Sequence, residues 1–321
     1  IQPNKGSGPM SKERLSSSIL PRRLGGKKFR MASFRDFLCV VPALLLILLL
    51  SYYPIIKLFM ISLTDWNLIK TKYNYVGLKN WKWLVETFSR NHILESFIVT
   101  LKYTVCLMVI ILVVGLLLAL LMNRITRPFA FMRSVIFMPH YIGMSTAALI
   151  FLVILNERFG FANYALEAMF GLRLPWLSNS NLALMMMILL ASWRAIGYNM
   201  LIYLSGMQGI SPQYYEAAML DGATSVSIFF RITLPLLAPT TVFLAVTQFI
   251  SSMKVYALVD VLTGGGPYSA TEVIVYKIYT LAFQDYRVDR AAVVAICFFL
   301  FLLLITKLTM KVTDQKVNYD A

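Results

Sequence analysis

Long runs of apolar residues alternate with short polar connections along the chain. Each run is close to the length of about 20 residues that a helix needs to cross the hydrocarbon core of a bilayer. Because hydrocarbon offers no hydrogen-bond partner to exposed backbone groups, each run is predicted to be helical. The pattern predicts six transmembrane helices, at about residues 37–62, 97–122, 134–155, 182–206, 236–258 and 290–310.

The composition agrees with an all-α, polytopic membrane protein and excludes a soluble one. Of the 321 residues, 59% are hydrophobic and only 14% are charged. Cys39, Cys106 and Cys297 all lie inside apolar runs, so no disulfide framework is predicted. His92 and His140 are the only histidines, and nothing has the spacing of metal ligands, so no metal site is predicted.

Basic residues predict the orientation of the spans. Nine of the 30 Lys and Arg residues precede residue 36, beside the first span. This position favours a cytoplasmic anchor at the lipid bilayer over a nucleic-acid-binding arm. Basic residues without nearby acids also occupy the 124–133 connection, and Lys307, Lys311 and Lys316 follow the last span. Six spans with both termini in the cytoplasm satisfy these three signals, although the basic 63–96 connection then lies outside.

The chain therefore divides into three predicted parts. Residues 1–36 form a basic cytoplasmic tail, residues 37–312 a transmembrane domain, and residues 313–321 a cytoplasmic C-terminal tail. The predicted topology places residues 207–235, here called the docking segment, on the cytoplasmic side.

The docking segment has the signals of two short helices joined at a glycine. Ser211 and Pro212 are typical of a helix start, and Asp221 with Gly222 predicts a break. A second helix is predicted at about 224–233. Periodicity alone fits an ordinary amphipathic helix at the membrane surface.

The order of residues in this segment is more specific than its periodicity. It follows the pattern EAAxxDGAxxxxxFxxIxLPxxxP, which resembles the signature of ABC importer permeases. The matching residues are Glu216, Ala217, Ala218, Asp221, Gly222, Ala223, Phe229, Ile232, Leu234, Pro235 and Pro239. Shorter stretches at residues 62–66, 76–80, 263–267 and 279–283 resemble the sugar-importer branch that includes the larger maltose-type permease. The resemblance covers about residues 35–312.

The resemblance implies a mechanism and a set of partners. In this family the motif forms a coupling helix that sits in a cleft of an ATPase, and ATP-driven closure rotates the spans. Glu216 would contact the ATPase and Gly222 would permit the turn. The implied partners are a second homologous permease, two ATP-binding cassette ATPases and an extracytoplasmic substrate-binding protein. The implied location is the cytoplasmic (inner) membrane.

The chain has no GxxxxGK[ST] phosphate loop, and its Gly25-Gly26-Lys27-Lys28 stretch is not one. ATP and magnesium are therefore expected on the partner ATPase, with no cofactor on this chain. No set of nucleophile, base and orienting residue is evident, so the chain is not predicted to be an enzyme.

Polar side chains within two of the predicted spans suggest a sugar site. Ionisable groups at membrane depth usually face a cavity or a partner. The candidates are Trp193, Arg194, Tyr198, Asn199, Gln248, Ser252, Lys254 and Tyr256. For Arg194 and Lys254, snorkelling or pairing with an acid is the alternative.

The resemblance adds detail to this site. The ligand-gripping positions of the maltose-type relative fall near Trp193, Ala195, Tyr198, Ser252 and Tyr256. Its amide side chains fall on Ala191 and Lys254, which implies a different substrate. Two buried cations lead to the hypothesis of an acidic oligosaccharide, for example a uronate such as alginate, because Arg binds carboxylates bidentately.

Other polar features are expected to be structural. His140, after Pro139, predicts a helix kink and core packing, and Gly264-Gly265-Gly266-Pro267 predicts a turn. Two other functions stay open. The chain could be a membrane scaffold or receptor that docks a cytoplasmic protein without moving solute. A sodium- or proton-driven carrier would be expected to show an inverted repeat or a membrane acid pair, and neither is evident.

Overall fold

The computed structural model describes residues 34–69, 71–88, 92–123 and 126–316. Most of the predicted basic tail, with Lys70, Arg90, Arg124 and the last five residues, lies outside the described residues. The described residues fall into two units, divided between Pro54 and Ile55. In the first, helix α1 (Phe34–Ile47) continues through a π-helical turn (Leu48–Tyr52) into α2 (Tyr53–Ser62), which enters the second unit.

The regular secondary structure in the described residues of the second unit is helical, with one isolated bridge between Thr64 and Tyr75, and loops connect the helices. After α2, the helices in chain order are α3 (Lys79–Thr87), α4 (Ile93–Met122), α5 (Arg127–Phe137), α6 (Met144–Ile154), α7 (Phe161–Phe170), α8 (Ser180–Gln208), α9 (Pro212–Leu220), α10 (Ser225–Ile228), α11 (Leu234–Leu236), α12 (Ala238–Met253), α13 (Ala257–Leu262), α14 (Ile274–Tyr279) and α15 (Val288–Lys316).

Four of the predicted spans are single helices long and apolar enough to cross a membrane. They are Val40–Ser62, Ile93–Met122, Ser180–Gln208 and Val288–Thr309. The all-α, polytopic class is confirmed.

The third and fifth predicted spans are broken, which corrects the expectation of continuous helices. Residues Arg127–Tyr141 and Met144–Ile154 meet at 94°, and Ser225–Leu236 and Ala238–Met253 meet at 60°. Each bent pair forms one span when counted together, which brings the total to six. Prolines lie next to both breaks, and proline removes a helical hydrogen bond and bends the helix.

Helix α4 is the centre of the second unit, because it contributes to all three of its buried apolar clusters. Two glycines allow the helices around it to approach closely. A Cβ on Gly115 would lie 2.9 Å from Cβ of Asn199 on α8. A Cβ on Gly197 of α8 would lie 2.4 Å from the Ile136 carbonyl oxygen on α5. Small residues at such crossings are the usual way for membrane helices to pack tightly.

The connection between α12 and α15 is more buried than a surface loop. Leu258, Val259 and Leu262 of α13 pack into a cluster with α4, α6 and α8. The predicted glycine turn follows α13, and Gly264 and Gly265 have φ of +58° and +83°, a region that favours glycine. Residues 259–289 therefore have extensive structure, much of it inside the bundle.

Candidate functional site

A cavity of about 680 Å³ opens between the spans of the second unit. It is formed where the two broken spans meet α4 and α8, and it is called the central cavity here. Its lining residues are Tyr103, Leu107, His140, Met144, Ala191, Arg194, Ala195, Tyr198, Thr247, Gln248, Ser251, Ser252, Lys254, Val255, Tyr256, Ala257 and Leu258. Six of the eight predicted substrate residues are in this set.

Arg194 reaches the cavity from α8 and also holds the break in the third span. Its Nε donates a hydrogen bond of 2.7 Å to the carbonyl oxygen of Ile142, between α5 and α6. Backbone carbonyls at a helix break lack intrahelical partners and need another donor. Nε is one of five guanidinium N–H donors, so the side chain has further donors for a ligand.

His140 lines the cavity beside Arg194, which the sequence did not predict. Its ring lies between Phe137 and Tyr198, with centroid distances of 5.3 and 5.1 Å and nearly parallel planes. Its buried Nδ1 has no hydrogen-bond partner among the described residues. The expected kink is present, because residues Met138–Tyr141 form a 3₁₀ turn before the break. Pro139 and Gly143 were the sequence signal that could have pointed to His140. They lie on either side of the break, where side chains can face the space that the bend opens.

Lys254 and Tyr256 lie beyond the end of a helix, not inside a span as predicted. Helix α12 ends at Met253, and the chain passes through Lys254 to Tyr256 before α13. Lys254 is exposed to the cavity, while Ser252 is buried. The end of α12 and its link to α13 therefore present the Lys254 ammonium, the Ser252 hydroxyl and the Tyr256 ring to the central cavity.

Tyr256 extends this surface into an aromatic cluster. Its ring lies 5.1 Å from Tyr279 and 6.1 Å from Tyr276, and Tyr279 lies 5.3 Å from Phe283 (all centroid distances). Stacked aromatic faces with nearby hydrogen-bonding groups suit a ring-shaped polar ligand.

Trp193 and Asn199 are not part of the cavity lining. Trp193 is 41% exposed and packs against Phe151 of α6, with centroids 5.6 Å apart. Asn199 is fully buried, and its Nδ2 donates a 2.9 Å hydrogen bond to the Ala195 carbonyl within α8. The structure brings the other six candidates together and leaves these two on other faces.

The cavity carries a cationic surface. No ion pair joins Arg194 or Lys254 to an acidic side chain among the described residues. The pairing proposed as an alternative for these two cations is therefore absent from this part of the chain. The carboxylate of Asp260 interacts with Tyr256 of the lining.

The docking segment has the predicted helix–glycine–helix form. Helix α9 begins with Pro212 at its first position, and Gly222 follows it with φ of +73°, which explains the need for glycine. Ser211 occupies the cap position but makes no side-chain capping hydrogen bond, which corrects that expectation. Thr224 caps α10 instead, because its Oγ1 accepts from the Ser227 N–H at 3.3 Å.

The segment exposes most of its motif residues. Glu216, Ala217, Asp221 and Gly222 are exposed, and Ala218, Ala223 and Phe229 are partly buried. Phe229 packs edge-on against Phe230 at 4.9 Å.

Large apolar side chains are exposed on the same segment, and sequence reasoning did not single them out. Leu220 is 90% exposed and Met219 is 60% exposed, with Tyr214, Val226 and Phe230 also exposed. Exposed apolar side chains here are available for contact with lipid or with another protein.

A bundle of apolar spans around a polar, cationic cavity, with an exposed helix–glycine–helix segment, defines a membrane transport permease. The sequence matches the model of the family described as the binding-protein-dependent transport system inner membrane component over residues 111–319, and the chain belongs to that family. The predicted membership of the ABC importer permeases is thereby confirmed.

Similar proteins cover almost the whole chain. It is 29% identical over 288 residues to the sn-glycerol-3-phosphate transport system permease protein UgpA of Agrobacterium fabrum, covering 88% of this chain and 96% of that protein. The UgpA of Escherichia coli O157:H7 is 28% identical over 285 residues, covering 88% and 95%. The fold is similar to a chain of a bacterial alginate ABC transporter solved with an alginate pentasaccharide-bound periplasmic protein, with a TM-score of 0.77 at 24% identity, covering 88% and 96%.

Proposed function

We propose that this chain is the membrane-spanning subunit of an ATP-driven importer and that its central cavity binds an anionic sugar or polyol. The observation that carries the proposal is the placement of Arg194 and Lys254 in one cavity without an acidic partner among the described residues. Arg194 is partly buried and Lys254 is exposed to the cavity. A partly buried cation without an acidic partner is costly, and an anionic ligand in the cavity would neutralise both charges.

The size and the other side chains of the cavity support a small polar substrate. Its volume of about 680 Å³ falls within the roughly 300–1,000 Å³ range of small-molecule sites. Tyr198 and Tyr256 offer ring faces, and Gln248 and Ser252 offer hydrogen-bonding groups. His140 adds an unpartnered ring nitrogen. Trp193 and Asn199 would act indirectly, through the packing of α8.

The names of the similar proteins mention anionic substrates, which agrees with this chemistry. The UgpA proteins belong to sn-glycerol-3-phosphate transport systems, and the structural neighbour is described as importing the acidic polysaccharide alginate. A tetrahedral phosphate and a planar uronate carboxylate each present two oxygens that an arginine can bind through two parallel hydrogen bonds.

Energy for import would come from a partner. In the proposal, the docking segment, with Glu216 and Gly222, contacts one of two ATP-binding cassette ATPases that hold ATP and magnesium. A second homologous permease completes the path, and an extracytoplasmic binding protein delivers the substrate. The termini and the docking segment lie on the cytoplasmic side in this assignment. Exposed Leu220 and Met219 supply the apolar contact that a soluble partner would cover.

The proposal is tested by substrate-stimulated ATP hydrolysis in proteoliposomes that contain the assembled transporter and its binding protein. A neutral oligosaccharide, a uronate oligosaccharide and sn-glycerol 3-phosphate are compared. Lys254→Met removes one charge-assisted interaction worth about 1.5–3 kcal/mol. The expected result is an increase of about 10- to 100-fold in the half-stimulating concentration of the anionic substrate.

Lys102→Met is the matched control, because Lys102 is exposed on α4 and does not line the cavity. It should leave the half-stimulating concentration unchanged. Equal stimulation by neutral and anionic substrates, with no effect of Lys254→Met, would refute the anionic site. A chain that co-purifies with no ATPase, yet still docks a cytoplasmic protein, would support the scaffold alternative.

A further inference from the structure

A second polar pocket lies away from the central cavity, where α15 and α4 begin. It has a volume of about 370 Å³ and is lined by Trp83, His92, Lys277, Leu281, Asp285, Arg287 and Arg290. Two of its cations are already paired. Lys277 lies 3.4 Å from Glu272, and Arg287 makes two hydrogen bonds, of 3.0 and 2.8 Å, to the buried Asp289. Those two hydrogen bonds raise the pKa of Arg287 further, so its guanidinium stays charged.

Arg290 is the cation that has no such partner among the described residues. Its guanidinium carbon lies 4.5 Å from the centre of the Trp83 ring, and its buried Nε has no hydrogen-bond partner in the described part of the chain. Asp285 lines the same pocket, and no salt bridge joins it to Arg290. The pocket thus offers one unpaired cation and one carboxylate beside an aromatic ring.

An apolar groove continues from this pocket along the same helices. It has a volume of about 210 Å³ and is lined almost entirely by apolar side chains of α3, α4, α14 and α15, including Leu84, Ile93 and Phe97. On α15, Val294, Cys297 and Phe301 follow Arg290 at helical spacing and face the groove.

Residues that line the two cavities are neighbours in the sequence. Trp83 and Leu84 are neighbours, as are His92 and Ile93, with the first of each pair lining the polar pocket and the second the groove.

We propose that the pocket and the groove together bind one phospholipid. Arg290 would hold the phosphate, Asp285 the ammonium of an ethanolamine headgroup, and the groove the first half of an acyl chain. From Arg290 to Phe301 the helix rises about 16 Å. One leaflet of the hydrocarbon core is about 15 Å thick. Tryptophan is enriched at membrane–water interfaces, where Trp83 would lie beside the headgroup.

The lipid accounts for both cavities, whereas the competing ligands account for one. A carboxylate of a partner protein or a free phosphate would satisfy Arg290 but leave the apolar groove unexplained. A transmembrane helix of a partner subunit would fill the groove but leave Arg290 unpaired. Arginine binds phosphate bidentately, and here one face of the guanidinium already rests on Trp83.

The test measures phospholipid retained by the full chain, purified in mild detergent with its co-purifying subunits, by native mass spectrometry and by analysis of released lipid. Arg290→Gln removes the phosphate partner, and Cys297→Trp fills the groove without changing any charge. Both should lose the one retained phosphatidylethanolamine, with at least a threefold drop in its amount. Arg290→Lys should retain more of it than Arg290→Gln. Arg173→Gln is the matched control, because Arg173 is an exposed arginine paired with Glu167 elsewhere.

Unchanged phospholipid in both Arg290→Gln and Cys297→Trp would overturn the proposal. Unchanged phospholipid in Arg290→Gln, accompanied by weaker stimulation by the binding protein, would instead assign the pocket to a protein carboxylate. If occupancy of the pocket depends on added inorganic phosphate and is unaffected by Cys297→Trp, the ligand is a free anion and not a phospholipid. If Arg290→Gln fails to assemble, Cys297→Trp and Arg290→Lys decide the question.

Discussion

Arg194 and Tyr198 face the central cavity, while their immediate neighbours Trp193 and Asn199 do not. The geometry of an α-helix explains the difference, because residues four apart share a face and adjacent residues point about 100° apart. Of the four α8 residues predicted from the sequence, two therefore line the cavity and two do not. Contacts with α4 and α6 decide which faces of α8 are covered by other helices. A single sequence does not show such a contact, for example the one between Asn199 and Gly115.

His140 shows a second limit at the residue scale. A lone histidine after a proline is more often a packing residue than a ligand, so its sequence context favoured a kink. The structure shows the kink and also opens a cavity beside it. The position of that cavity depends on the bend of 94°, which is a tertiary quantity.

The close contact at Gly197 gives a prediction at the residue scale. Gly197→Ala places a methyl group 2.4 Å from the Ile136 carbonyl oxygen. Overpacking of this kind costs about 1–3 kcal/mol. The variant should therefore unfold at a lower temperature in detergent than the wild type, as measured by tryptophan fluorescence.

Gly209→Ala is the comparison for that variant. Gly209 has a negative φ, and its added methyl group would meet its nearest neighbour at 3.4 Å. It should unfold near the wild-type temperature. Equal unfolding temperatures for the two variants would show that α5 and α8 separate easily at this crossing.

At the scale of elements, the two broken spans make this bundle different from one built of six continuous helices. Prolines near residues 139 and 235–239 were visible in the sequence, but a proline alone does not distinguish a mild kink from a bend of 94°. The short helix α13 was missed for a related reason. Its six residues are far below spanning length, and its burial comes from contacts with α4, α6 and α8.

The docking segment was predicted more completely, because its signals are local. Proline at a helix start and glycine at a left-handed position act within a few residues. Its apolar surface was not identified, since Met219 and Leu220 would be expected inside a helix pair; only the structure shows them exposed.

Glu216 provides the prediction at this scale. Glu216→Lys reverses a charge on the exposed face of α9, where the proposed ATPase contact lies. Reversing one partner of an interfacial charge contact costs several kcal/mol. Stimulated ATP hydrolysis should therefore fall at least tenfold in the reconstituted transporter.

The control makes the same substitution elsewhere. Glu86 is exposed on α3, at the end of the bundle predicted to face outward, and Glu86→Lys should leave hydrolysis unchanged. If both variants lose activity equally, charge alone affects the assembly and the docking role fails. If neither does, Glu216 makes no essential contact.

For the whole molecule, the distribution of basic residues predicts which end faces the cytoplasm. This orientation is testable with single cysteines in a chain whose Cys39, Cys106 and Cys297 are replaced by alanine. Ser178→Cys and Ser225→Cys introduce thiols at exposed positions on the two ends. In intact cells whose outer barrier, if any, is made permeable, a membrane-impermeant maleimide should label residue 178 only.

Labelling of residue 225 should appear once the inner membrane is opened. The opposite order of labelling would invert the topology and remove the docking segment from the reach of any cytoplasmic ATPase. Labelling of both residues in intact cells would show that the membrane was already leaky, which a cytoplasmic marker enzyme checks.

The two glycine contacts also determine which parts of the molecule move together. At Gly115 and Gly197, helices meet backbone to backbone, with no layer of side chains to yield between them. We therefore expect α4, α5 and α8 to move together as one stiff block. In the proposed transport cycle, the helix ends near Leu237 and at Lys254 to Tyr256, on either side of α12, would then act as the joints. One of these joints carries the lysine and tyrosine of the cavity, so in that cycle the hinge and the proposed substrate contacts would be the same few residues.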